Sequence, residues 1–77
     1  MKENQKTVLE HLKKMCPLEL DMYPMVTIHC LMDDIINDNW QYYSDEKPEV
    51  IKLSEALGRK EQAEILHAFS AWILSED

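Results

Sequence analysis

Apolar residues along this chain recur at helical spacing in four separate runs. Val8, Leu9 and Leu12 form the stripe of an amphipathic helix predicted over about 4–15, and Cys16-Pro17 ends it, because the residue before a proline is disfavoured in the helical region. Residues 17–23 read as a connector. Pro24, a residue that fits a first helical turn, opens the second run. That run continues through Met25, Ile28, Leu31, Met32, Ile35 and Ile36 and predicts a long central helix over about 24–43. A polar break, Ser44-Asp45-Glu46-Lys47, separates it from a short third helix over 48–57, which carries Val50, Ile51, Leu53 and Leu57. Gly58, the single glycine, is expected to close that helix, since glycine tolerates the left-handed conformation in which many helices end. A fourth helix is predicted over 60–75. The fold class is therefore all-α, a compact bundle of about four helices in one small domain spanning 1–77.

The fourth helix has an unusual pattern: nine of the twelve residues 63–74 are apolar, which leaves a narrow polar stripe. Either it is the central helix, wrapped by the other three, or its second apolar face, including Phe69, Trp72, Ile73 and Leu74, is an oligomer face through which the chain pairs with itself. Seventy-seven residues lie near the lower limit at which a domain buries enough apolar surface to fold unaided, and pairing is a common remedy.

Composition narrows the classes further. The 45% hydrophobic content, with two Trp, three Tyr and one Phe, is that of a globular chain rather than a disordered one. The first residues lead into an amphipathic stretch with no apolar signal-peptide core, and the apolar stretch over 63–74 is too short to span a bilayer, so the expected location is cytoplasmic. In that setting Cys16 and Cys30, which form no C-x-x-C pair, are expected as free thiols, a disulfide between them being the alternative.

The formal net charge of −7 is unevenly placed. Residues 1–16 hold four lysines against two glutamates, a balance of +2. Residues 17–50 hold eight acids against Lys47, a balance of −7, and 51–77 add −2. Such a field repels phosphate backbones and attracts basic protein surfaces; it is also the ordinary state of a solvated, soluble face.

Four chemical constellations arise from these residues. Asp33, Asp34 and Asp38 form an acidic run in which Asp34 and Asp38, one helical turn apart, would share a face able to hold a divalent cation. The run resembles the aspartate-rich motif of polyprenyl synthases, but that fold needs a second such helix and a deep cavity, which 77 residues do not supply. Glu64 and His67 have the Glu-x-x-His spacing of carboxylate-bridged di-iron bundles, which use two copies; this chain has one. His29, with Met22, Met25, Cys30 and Met32, is a set of soft donors at helical spacing, better read as core filler. His11 and His29 lie near the two cysteines in sequence, but no elbow or glycine-rich loop accompanies them. No catalytic residue, metal or cofactor is assigned, and no enzyme is expected.

Two binding readings remain. The segment from Lys52 through Ser54 to Gly58, followed by a helix, resembles the first helix and turn of a bacterial helix-turn-helix, which implies a dimeric DNA-binding regulator; its recognition helix would aim Glu61 and Glu64 at the groove with only Arg59 and Lys60 as cations. Alternatively, Trp40, Tyr42 and Tyr43 beside Asp33, Asp34, Asp38, Asp45 and Glu46 supply aromatic anchors with a charged rim for a protein partner with a basic surface. Small acidic domains of this kind include bacteriocin immunity proteins and phage-encoded inhibitors of nucleic-acid enzymes. The function expected from sequence is thus a protein-binding inhibitor or regulator of a basic nucleic-acid-handling partner. The helix-turn-helix regulator is the first alternative and a metal-binding helical protein the second.

Overall fold

In a computed structural model, which describes residues 1–17 and 22–75, the chain forms α1 (Glu3–Met15), α2 (Pro24–Ile36), α3 (Glu49–Glu55) and α4 (Arg59–Ser75). A short 3-10 turn, Asn39–Tyr42, lies between α2 and α3. The connector expected over 17–23 falls largely outside the described residues.

α1 is the post of the bundle. Its Val8, Leu9 and Leu12, together with Cys16 just past its end, are buried, and they meet Leu31 of α2, Ile51 of α3 and Ile65 and Phe69 of α4. α2, α3 and α4 all pack on α1, and α2 also packs on α3; α3 and α4 make no comparable contact with each other. Two sequence expectations fall here. Neither the second nor the fourth helix is central, because the second is too short and the fourth buries fully only Ile65 and Phe69 along a single stripe.

The long second helix predicted over 24–43 is two elements. Asn37 caps α2, and Asp38 turns the chain into the left-handed region (φ 51°), which breaks the helical ladder before the 3-10 turn begins. Aspartate is among the few residues that enter this region at modest cost.

Gly58 also has a role other than the expected one. Its φ is not positive, so it does not end α3 as a left-handed cap. It stands at the N-cap of α4: its carbonyl accepts from Gln62 N–H at 3.0 Å, and its own N–H donates to Glu61 Oε1 at 2.9 Å, the reach-back half of a capping box. That backbone bond, with Lys2 nearby, holds the Glu61 carboxyl below its ordinary range. α1 starts in the same way, with Gln5 Oε1 accepting from Lys2 N–H at 2.8 Å. Gln5 is buried, and its amide also donates to Glu61 O at 3.1 Å and to Glu64 Oε1 at 3.2 Å, which ties the first turns of α1 and α4 together.

A glycine that needs no left-handed conformation can be replaced. A side chain at this position has only ordinary contact with Glu61, and serine is a better N-cap than glycine by a few tenths of a kcal/mol. Gly58→Ser should therefore leave the urea midpoint unchanged or raise it slightly, whereas a left-handed cap would lose about 1 kcal/mol.

Candidate functional site

The turn that follows α2 is built around one carboxylate. Asp34, on the inner face of α2, is buried at 4% exposure. Its Oδ2 accepts from Tyr43 Oη at 2.8 Å and its Oδ1 from Asn39 Nδ2 at 3.3 Å. A buried carboxylate is costly unless its oxygens are occupied, and here the returning chain occupies both. Tyr43 is pinned as a result, and its phenol is pushed up to about 12, first by burial and then by the bond to Asp34.

This overturns the sequence placement of Asp34 twice. It is not part of a solvated acidic face available to a partner, and it shares no face with Asp38, because α2 has ended before that residue. The other expected contact residues separate by role. Asp33 is half-buried and accepts from Asn37 Nδ2 at 2.6 Å. Trp40 is half-buried, packs against the core and donates to Asp38 Oδ1 at 3.3 Å. Asp38, Tyr42, Tyr43, Asp45 and Glu46 are exposed, Tyr43 at 59% and Tyr42 at 88%, the most exposed large hydrophobic side chain of the described residues. Lys47, the single cation of the loop, is ion-paired with Glu55 of α3. The turn therefore presents the untethered Tyr42 ring, beside the tethered Tyr43, among three acids that form no ion pair within the described residues.

The expected oligomer face does not survive as such. Phe69 is buried, Trp72 and Ile73 pack against the core, and only Leu74 is exposed. The reason is a local stack: the Phe69 and Trp72 rings lie 6.1 Å apart at 20°, and Lys13 of α1 places its ammonium 5.6 Å from the Trp72 centroid, closing that end of α4 onto α1.

Two features were missed from sequence. The first is a largely apolar groove of about 200 Å³ between α2 and α4, closed on one side by the end of α3 with Glu55 and Leu57, floored by Val8, Leu12 and Ile65 and walled by Met32, Ile35 and Leu66. Its signal was available, since the α2 sequence is apolar on more sides than one neighbouring helix can cover. The second is His11, whose Nε2 is buried without a hydrogen-bond partner. Burial lowers its pKa, and the nearby Asp34 only partly offsets this.

Among the described residues no group of three or more His, Cys, Asp or Glu is placed to hold a metal ion, and Cys16 and Cys30 are both free, the former buried and the latter exposed. His29 and the Glu64–His67 pair are exposed, and Glu64 is engaged by Gln5. No helix of the described residues is long and apolar enough to cross a membrane.

Removing the Asp34 carboxylate leaves Tyr43 and Asn39 without their acceptor. Asp34→Ala should cost about 2 kcal/mol in urea unfolding, and in an absorbance titration the late-ionising tyrosine near pH 12 should return toward the ordinary phenol range. His11 gives a second pH dependence of opposite origin. Its folded pKa lies below the ordinary 6.5, so the unfolded chain binds the proton first, and the stability present above 6.5 declines as the pH falls below it. The urea midpoint should drop between pH 7 and pH 5, and His11→Gln should flatten that slope. No protein-family model, curated protein or solved structure matches this chain.

Proposed function

We propose that this protein is a small acidic binding module, an inhibitor or regulator that docks on the basic surface of a nucleic-acid-handling protein through the turn after α2. The observation that carries the reading is Tyr42, 88% exposed on a 3-10 turn and flanked by Asp38, Asp45 and Glu46. An exposed tyrosine offers a large contact area with little rotamer entropy to lose, which is why such residues serve as interface anchors. Among the described residues the acids around it form no ion pair, and Lys47 is held by Glu55, so they are free to steer a basic partner and to complete its ion pairs. The turn is fixed before binding by Asp34, which lowers the ordering cost of association.

The DNA-binding alternative gains no support from the geometry. A helix-turn-helix requires its two helices to pack on each other, and α3 and α4 pack on α1 instead.

The test is parallel capture from a nuclease-treated lysate on the wild-type chain and on Asp38→Lys/Asp45→Lys/Glu46→Lys, with salt-gradient elution. A basic nucleic-acid enzyme should be held by the wild type and released at moderate salt. The triple variant and Tyr42→Ala should each bind it at least about tenfold more weakly, roughly 1.4 kcal/mol. Equal retention by wild type and triple variant, or elution insensitive to salt, would sink the reading.

A further inference from the structure

α2 is built inside out. Its fully buried residues are Thr27, Leu31 and Asp34, two of them polar, while Met25 (85%), Val26 (44%), Met32 (42%) and Ile36 (66%) face water. Met25, Met32 and Ile36, with His29 between them, fall on one side of the helix at spacings of four, three and four, the spacing of a helix–helix seam. This ridge borders the apolar groove between α2 and α4, where Leu66 forms the opposite wall and is itself 44% exposed.

We propose that this face is a two-fold interface between copies of the chain, with the α2 helices antiparallel and the ridge of each copy set into the groove beside α2 of the other. A ridge next to a groove is the shape that a two-fold axis makes self-complementary. The spacing places Met25 opposite the partner's Ile36 and His29 opposite the partner's Met32.

Charge identifies the occupant. In a chain with 30% charged residues and a net charge of −7, this ridge carries no Asp, Glu, Lys or Arg. Of the two acids of α2, Asp34 is turned inward to Tyr43 and Asn39, and Asp33 is on the flank with Asn37. The one acid that lines the groove, Glu55, is already held by Lys47, so a basic partner would find no free acid here to pair with, and its cations would be desolvated without compensation. A second copy brings no cation to the ridge and keeps its unpaired acids outside the contact. Taking roughly 200 Å² for a large side chain, the exposed parts of Met25, Met32, Ile36 and Leu66 come to about 450 Å² per copy. The pair thus buries about 900 Å², at the small end of specific interfaces, which makes the dimer weak and concentration-dependent.

Sedimentation equilibrium from about 1 to about 200 μM brackets such an interface. The mass should rise with concentration toward twice the 9.1 kDa chain. Met25→Glu sets an unpaired carboxylate against the partner's Ile36 and should raise the dissociation constant at least about tenfold; Met25 is too exposed for its substitution to disturb folding, which an unchanged far-UV circular dichroism spectrum verifies. Leu74→Glu, at the exposed end of α4, and the triple reversal in the acidic turn should leave the mass profile unchanged, which separates this interface from the partner-binding turn. A wild type that stays at 9.1 kDa throughout overturns the pairing. So does a dimer that survives Met25→Glu but is lost with Leu74→Glu. A monomer whose methionine methyl resonances shift on titration with a lysine-rich amphipathic peptide overturns it as well, and assigns the groove to a foreign helix.

Discussion

Burial of one face of α1 is the condition on which the rest of the structure depends. Val8, Leu9, Leu12 and Cys16 supply half of the buried apolar side chains, and each of the other three helices packs against α1. Small domains have little surplus burial, so a shared post is economical, but it leaves neighbours such as α2 and α4 unjoined. The groove between them follows directly from that arrangement. A bundle in which every helix touched two others would have filled it.

The acidic turn shows a second level of constraint, local rather than global. Asp34 receives bonds from two residues beyond the helix end, so the left-handed Asp38 and the 3-10 turn are fixed at both ends by polar contacts. Left-handed backbone at a residue other than glycine carries a cost on the order of 1 kcal/mol. Here that conformation directs Tyr42 outward while Trp40 and Tyr43 are held, and rigid display of one ring beside acids is the geometry from which the binding function is argued.

Helical periodicity makes the four helices legible, and the stripe Val8, Leu9, Leu12 stands out because every other residue of the helix except Met15 is polar. The errors arose where one residue type serves two physical ends. An aspartate on a helix is usually solvated, and nothing in a run of aspartates marks Asp34 as the one whose oxygens are filled by Tyr43, nine residues on. Gly58 stands between two helices, and a glycine there can close one or open the next; the deciding residue was Glu61, three positions later. α4 holds the most apolar run, yet alanines and the exposed Leu66 and Leu74 contribute much of that count, and only Ile65 and Phe69 are fully buried. The candidate acidic surface was half legible: its exposed members were all named, while the buried tether and the apolar ridge of α2 depend on tertiary placement.

The bonds from Gln5 to Glu61 and Glu64 join residues 56 and 59 positions apart, and this has a bearing on the order of assembly. α1, at 13 residues, is marginal as an isolated helix in water, and α3 and α4 do not form a packed hairpin that could serve as an early nucleus. Closure of α4 onto α1 spans nearly the whole chain, and its loop entropy must be met before the core rewards it. During synthesis, the stripe of α1 that α4 covers stays uncovered until α4 has been made, and in that interval it is the part of the nascent chain most dependent on protection from other apolar surfaces.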